Sequence, residues 1–415
     1  MKLLAVGDMH LGRIPASLPD AVSGDARRLG PETAWHRAVD AAIDHGVEAV
    51  LLAGDVVDRE RDFFAGYDPL RAGIERLLGE GIRVLAVAGN HDTHVLPRLA
   101  DHVDGLELLG RGGSWQATRL SVGSVLGWSF PSRRVTRSPL AGSELPESPR
   151  PRIGLLHCDR DQADSPYAPV TSRELERSGL DAWLLGHVHK PDLAASDEVP
   201  IGYLGSITAL RASETGIRGP WLIDVAQPGI RARQLALAPL AYDSLELDVS
   251  DLDRAEALDA AVLSAGREAV TRRAERDAVP DSLGLRIRLI GEHREATALG
   301  ETVRGLIDEP PVFEALGCRV FVDRIDRAFG PPLDLDALAR EASPAGLLAR
   351  DLLLLAGPDC KERRRLVAEA RERMQAAGNI SDLHAVARPL SDAEAADALE
   401  RAGRTALALL IEQRR

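Results

Sequence analysis

Cysteine is nearly absent from this chain: Cys158, Cys318 and Cys360 are the only three in 415 residues, and no two share a CxxC spacing. That excludes a disulfide framework and a thiolate zinc site, and it sets the expectation of a reducing, cytoplasmic location. Lysine is scarcer still in proportion, with Lys2, Lys190 and Lys361 the only lysines among 51 basic residues. With no G-x-x-x-x-G-K-[ST] pattern either, the chain is not itself a P-loop ATPase. Long apolar runs are missing too. A stretch such as Leu352 to Ala356 is far too short to span a bilayer, and Lys2 precedes only four apolar residues before Gly7-Asp8. No membrane association and no secretory signal are therefore expected. Positive charge is also in deficit. A net charge of −13 excludes a protein that coats nucleic acid indiscriminately, because such binding neutralises phosphates with many Lys and Arg. Any contact with DNA must be local.

What remains is an ordinary globular composition, 45% hydrophobic and 28% charged, long enough for two or three domains. The first 240 residues alternate short aliphatic runs with helix-like periodic segments, the pattern of a layered α/β fold. Strands are expected at Lys2 to Val6, Glu48 to Ala53, Ile82 to Val87, Arg152 to Leu156, Ala182 to Leu185 and Trp221 to Val225. Two helices lie between the first three, one with the stripe Trp35, Val39, Ala42 and Ile43, the other with Leu70, Ile74, Leu77 and Leu78. Gln116 to Ser129 reads as a hairpin and Ser138 to Pro151 as an exposed loop. Residues 241–330 read as a small separate α/β unit. Residues 331–415 read as a helical tail, whose last helix starts at the capping box Ser391-Asp-Ala-Glu394.

The chemistry concentrates at five strand ends. Gly7-Asp8-Met9-His10 follows the first expected strand, Gly54-Asp55-Val56-Val57-Asp58 the second and Gly89-Asn90-His91-Asp92 the third. His157 closes the run Gly154-Leu-Leu-His157, and Gly186-His187-Val188-His189 follows Trp183-Leu-Leu. A Gly-Asp pair by itself is usually a turn, and a lone histidine usually a satisfied core residue. Five such clusters, each at the carboxyl end of an apolar run, are another matter, since that edge is where α/β sheets present ligands. Carboxylate, amide and imidazole donors together suit a dinuclear centre of manganese, iron or zinc. His36, His45, His94, His102, His293 and His384 match no such position.

The order D-x-H, GDxxD, GNHD, H, GHxH resembles the calcineurin-like metallophosphoesterases. That resemblance implies a four-layer fold, a double β-sandwich flanked by helices, and two divalent metal ions. Asp8, His10, Asp55 and His189 would hold one ion and Asp55, Asn90, His157 and His187 the other, with Asp55 bridging. The implied chemistry is in-line attack on phosphorus by a hydroxide shared between the ions. His91 would donate a proton or hydrogen bond to the phosphoester. Asp58 is similar to an aspartate of the phosphoprotein phosphatases that pairs with that histidine, and Arg59 would meet a phosphate oxygen.

Within the superfamily, Gly205-Ser206-Ile207 and the run Glu214 to Asp224 resemble the bacterial DNA repair exonucleases of the SbcD and YhaO type, and Asp55 to Pro69 resembles the YhaO branch more closely. One departure is visible: archaeal and eukaryotic break-repair nucleases carry at Asp58 a histidine that assists their exonuclease step. Phosphodiester hydrolysis is therefore implied more directly than exonuclease digestion. Leu108 to Ser143 holds five arginines, Arg111, Arg119, Arg133, Arg134 and Arg137, and no acidic residue, which offers a local phosphate-tracking surface. Arg59, Arg133, Arg134 and Arg137 are the candidates for substrate contact. Trp115, Trp128 and Phe130, interleaved with these arginines, are expected in the core. The implied partners are DNA and a coiled-coil ABC ATPase of the SMC-like type, docked on the helical tail, and a homodimer is compatible with both. The competing readings are a phosphomonoesterase or cyclic-nucleotide phosphodiesterase and, from another class, a catalytically silent scaffold for an ATPase.

Overall fold

The computed structural model describes residues 1–16, 18–193, 200–226, 229–378 and 390–412; His384 lies outside them. In chain order the first strands are β1 (Lys2–Val6), β2 (Ala49–Leu52), β3 (Arg83–Ala86), β4 (Leu106–Leu108), β5 (Gln116–Arg119), β6 (Ser124–Trp128), β7 (Arg152–His157), β8 (Ala182–Gly186), β9 (Ile201–Tyr203), β10 (Trp221–Ala226) and β11 (Gly229–Gln234). They form a six-stranded sheet in the order β11-β10-β1-β2-β3-β4 and a five-stranded sheet in the order β5-β6-β7-β8-β9. β1 to β4 run parallel, with Leu4 opposite Val50 and Val50 opposite Val84. β6 to β9 are parallel as well. The expected hairpin is β5 paired antiparallel with β6.

The central strands read as unbroken apolar runs because both of their faces are covered. The chain's first helices are α1 (Asp20–Ser23), α2 (Pro31–Asp44), α3 (Phe63–Gly79), α4 (Val95–His102) and α5 (Ser172–Arg177). On the outer face of the six-stranded sheet, Leu4, Val6, Val50, Leu52, Val84 and Ala86 pack with Trp35, Val39 and Ala42 of α2 and Leu70, Ile74 and Leu77 of α3. Its inner face, Leu3, Ala5, Ala49, Leu51, Leu85 and Val87, meets Val125, Ile153, Leu155, Ala182 and Leu184 of the five-stranded sheet. Leu126, Trp128, Leu156, Trp183 and Leu185 on the far side are closed over by Leu175 of α5 and by Ala168, Val170 and Phe130. The layers thus run helix, sheet, sheet, helix and loop. α5 begins at a reciprocal capping box between Thr171 and Glu174. Leu78 departs from its expected place in the buried stripe: it sits one position past Leu77, off the sheet-facing side of α3, and is exposed.

Beyond residue 239 come β12 (Leu240–Asp248), α6 (Ala257–Ala274), β13 (Ser282–Glu292), α7 (Ala296–Asp308), β14 (Val312–Ala315) and β15 (Cys318–Gly330), with a third sheet in the order β12-β13-β15-β14. The tail folds as α8 (Leu335–Ala339), α9 (Pro344–Ala356), α10 (Lys361–Gly378) and α11 (Asp392–Glu412). Ser391 and Glu394 form the capping box ahead of α11, the serine hydroxyl accepting from the Glu394 amide at 3.3 Å. The chain divides into two compact units. One comprises Met1–Leu245, Leu263–Arg286 and Pro310–Arg324; the other comprises Glu246–Val262, Ile287–Glu309 and Ile325–Arg415. The first holds both large sheets and all five motifs. In the second, Leu352 of α9 and Leu407 of α11 share a buried cluster. No helix among the described residues is long and apolar enough to cross a membrane.

Candidate metal centre

All five motifs leave the carboxyl ends of parallel strands, and the two sheets bring those ends together. Past β1 and β2 the loops stay side by side, with the His10 amide donating to the Asp55 carbonyl and the Leu11 amide to the Val56 carbonyl, each at 2.8 Å. The His187 amide donates to the Asp8 carboxylate at 3.0 Å, tying the second sheet to the first. Two glycines leave room for neighbouring side chains. A Cβ on Gly89 would lie 2.2 Å from Asp55 Oδ1; one on Gly54, at φ +89°, would lie 2.7 Å from His157 Nδ1. The backbone is strained at four of the expected ligands, with φ of 27° at Asp8, 49° at His10, 48° at Asp55 and 105° at His187. Such conformations cost roughly 1–3 kcal/mol each and persist where the surroundings hold them, most often at functional sites.

The donor atoms gather in two overlapping groups. Asp8, His10 and His189 present one donor each within 4.8 Å of one another, as do Asp8, Asp55 and His157. His10 Nε2 lies 3.0 Å from His189 Nε2. On the other side, Asn90 Oδ1 is 2.9 Å from His157 Nε2 and 3.1 Å from His187 Nδ1, and those two nitrogens are 3.3 Å apart. Asp55 stands between the groups, its Oδ2 3.5 Å from His157 Nε2 and 3.9 Å from His10 Nε2. Facing lone pairs of this kind repel unless a proton or a cation lies among them, so the donor set fits divalent ions. All seven expected ligands are brought together. His91 also offers a nitrogen within 4.8 Å of His10 and Asp55 donors.

Each of the four histidines that turn one nitrogen inward has its other nitrogen facing a carboxylate or a carbonyl oxygen. His10 Nδ1 lies 3.0 Å from Asp58 Oδ1, His189 Nδ1 2.8 Å from Glu214 Oε1 and His187 Nε2 3.3 Å from Asp159 Oδ1. His157 Nδ1 donates to the Ala53 carbonyl at 3.0 Å. Carboxylates behind metal-binding imidazoles orient the ring and raise its basicity. The charges respond accordingly. Burial opposes protonation of His187 and His189, yet Asp159 and Glu214 raise both above the usual imidazole value. His157, backed by a neutral carbonyl, is lowered by its burial. Burial alone would push Asp55 up, but His157, His10 and His91 together bring it below the usual carboxylate range. Contact with His10 holds Asp58 at about 2. Asp92 belongs to neither donor group: its oxygens accept from the Gly89 and Val56 amides, each at 2.7 Å, and burial, then the Asp55 charge, push it up to about 8.

The expected pairing of the Asp58 carboxylate with His91 is corrected by this geometry. His91 Nδ1 bonds the Asp58 main-chain carbonyl at 2.9 Å, while the carboxylate is turned to His10, with Arg13 at 3.5 Å and Arg59 at 3.1 Å. The turn at Asp58 follows from its amide donating to the Leu11 carbonyl at 3.3 Å, which sets its side chain beside the β1 loop. Beyond His91 opens a cleft of about 600 Å³ lined by Asp58, Arg59, Arg61, Asn90, His91, Arg133, Arg134 and Tyr167. Arg137 is exposed and is not among the lining residues. The Tyr167 ring lies 5.0 Å from that of His187. Arg61, Tyr167 and Asp159 stand outside the sequence motifs, and Glu214 and Arg218 lie in the run Glu214 to Asp224 without an assigned site role; Asp159, two residues past His157, carries the plainest sequence signal of the five. Trp128 and Phe130 are buried, and Trp115 packs edge-on against Trp183.

A double-sheet α/β fold whose strand ends converge on paired His/Asp donor groups defines a candidate dinuclear metal phosphoesterase. Residues 1–191 match the model of the calcineurin-like phosphoesterases, a family that uses a dinuclear metal centre. Among the chain's relatives, the uncharacterized metallophosphoesterase YhaO of Bacillus subtilis is 26% identical over 236 residues, 53% of this chain and 56% of its own. The DNA double-strand break repair protein Mre11 of Haloferax volcanii is 29% identical over 270 residues, 59% of this chain and 55% of its own. The chain therefore spans little more than half the length of these relatives. Among solved structures, a dimetal phosphatase from Danio rerio aligns at a TM-score of 0.36 and 10% identity, covering 56% of this chain and 95% of its own.

Proposed function

We propose that the chain is a manganese-dependent phosphodiesterase acting on DNA, a nuclease subunit working in DNA repair in the cytoplasm. The observation that carries this reading is the arginine lining of the cleft, where Arg59, Arg61, Arg133 and Arg134 surround the opening onto Asn90 and His91. A phosphomonoester presents one phosphoryl group. A polynucleotide presents phosphates on both sides of the scissile one, and a spread of guanidinium groups suits the second. The role of the Mre11 relatives in DNA double-strand break repair supports the same reading.

Asp8, His10, Asp55 and His189 would hold one ion, and Asp55, Asn90, His157 and His187 the other. Oxygen and imidazole donors without thiolate suit Mn²⁺. Bound there, the pair would polarise phosphoryl oxygens and lower the pKa of water. A carbonyl only accepts, so His91 Nδ1 carries the proton in its 2.9 Å contact with Asp58, and Nε2 is left to exchange a proton with a phosphoester in the cleft. Arg59, Arg133 and Arg134 meet non-bridging oxygens, and Arg137 extends the basic surface outside the cleft. Residues 241–330 serve as a DNA-capping accessory domain. Residues 331–415 dock an SMC-like ATPase, a reading supported by the exposure of Leu347 and Leu409. A truncation at residue 330 that still co-purified with such an ATPase would remove the docking role.

The substrate reading is tested with Mn²⁺, linear double-stranded DNA, bis(p-nitrophenyl) phosphate and p-nitrophenyl phosphate. Cleavage of DNA is expected, together with its selective loss in an Arg133→Glu/Arg134→Glu variant that still turns over the small diester. Turnover of the monoester with no cleavage of DNA would favour the phosphomonoesterase alternative.

A further inference from the structure

The geometry points to Glu214 and Arg218 as a buried positioning pair that fixes His189 and thereby sets how tightly one of the two divalent ions is held; this rests on the metal-centre reading above. Glu214 Oε1 faces His189 Nδ1 at 2.8 Å. Its other oxygen accepts from the Leu210 amide at 2.9 Å and the Ser206 hydroxyl at 3.2 Å, so the carboxylate cannot rotate away. Arg218, 2% exposed, holds the same histidine from its main chain. Its guanidinium donates to the His189 carbonyl, to Ser206 Oγ at 3.3 Å and to the Thr215 carbonyl at 3.1 Å. The Ser206 amide also donates to the His189 carbonyl, at 3.0 Å. One loop thus grips His189 at ring and backbone together, and His10 Nε2 lies 3.0 Å from the ring's inward nitrogen.

Placing a carboxylate and a guanidinium in so buried a spot is costly, the more so as the Arg218 Nε has no hydrogen-bond partner, and a neutral acceptor such as the Ala53 carbonyl suffices to orient His157. A charged acceptor does more than orient. It makes the imidazole a stronger donor to a cation, as in carboxylate–histidine–metal arrangements. Glu214→Gln keeps an acceptor oxygen and the volume but drops the charge, so it separates these roles.

The test titrates the full chain, stripped with EDTA, with Mn²⁺ alone by calorimetry, and follows the melting of the metal-free protein. In Glu214→Gln one of the two binding steps should weaken about 10–100-fold while the other changes less than about twofold. The metal-free melting temperature should stay as in the wild type, and Glu214→Asp should recover part of the affinity. Unchanged Mn²⁺ affinity in Glu214→Gln overturns the inference, and so does a lowered metal-free melting temperature with normal affinity, which marks a purely structural pair. Should Glu214→Gln fail to fold, Ser206→Ala removes the hydroxyl's bond to the carboxylate and its bond from Arg218 and should weaken the same step about two- to tenfold; no change there overturns the inference equally. A wild-type chain that binds no Mn²⁺ would instead sink the metal-centre reading itself.

Discussion

Asp58 turns its carboxylate to His10, not to His91: Oδ1 lies 3.0 Å from His10 Nδ1, and only the main-chain carbonyl reaches His91 Nδ1, at 2.9 Å. The residue therefore acts on the metal side of the centre. Asp58→Asn should weaken Mn²⁺ binding about 10–100-fold, while the carbonyl that orients His91 stays in place. A variant with wild-type Mn²⁺ affinity in calorimetry but a reduced rate would return Asp58 to the chemical step.

His91 sits at the mouth of the cleft beside Asn90, held by a backbone carbonyl. His91→Ala should keep both ions and lose on the order of a hundredfold or more in rate, the usual weight of a proton donor. Metal analysis and single-turnover kinetics on the same sample check this. Loss of an ion in that variant would place His91 among the ligands, beside His10 and Asp55.

The strand ends were legible because Asp8, Asp55 and Asn90 each follow an apolar run and a glycine, and burial on both faces leaves such runs unbroken. The groups behind the histidines were not. Glu214 reaches His189 from 25 positions along the chain, on the far side of β9, a separation that neither helical nor strand periodicity carries. The turn of Asp58 depends on the β1 and β2 loops continuing side by side, a tertiary relationship that spacing alone does not carry. Asp159 stood two residues beyond a recognised ligand, but its partner is His187 on the neighbouring strand end.

Thiol reactivity should divide sharply. Cys158 and Cys318 are buried, and burial pushes the Cys318 thiol up to about 12 and that of Cys158 higher still; Cys360 is partly exposed. Since the thiolate is the nucleophile, iodoacetamide on the native chain at neutral pH should modify Cys360 alone, with all three reacting in denaturant. Modification of Cys158 at a comparable native rate, seen by mass spectrometry, would contradict its placement under the sheet.

Asp323 supplies a pH-dependent test away from the centre. Burial raises its carboxyl against the pull of Arg286, 3.5 Å away, and Arg324. A raised folded-state value means that ionisation opposes folding. The penalty is absent below the unfolded value of about 4 and complete above the folded one. Asp323→Asn should therefore raise the melting temperature at pH 7 and leave it unchanged at pH 3. A lower melting temperature at pH 7 would mean that the Arg286 contact outweighs burial.

The dinuclear centre depends most directly on Asp55, which lies 3.5 Å from His157 Nε2 and 3.9 Å from His10 Nε2 and so touches both donor groups. The decisive measurement is metal content by plasma mass spectrometry, taken with bis(p-nitrophenyl) phosphate turnover in Mn²⁺, for the wild type and Asp55→Ala. The wild type should carry two ions per chain and turn over the diester, whereas Asp55→Ala should lose the pair and the activity together. Two bound ions and undiminished turnover in Asp55→Ala would contradict it.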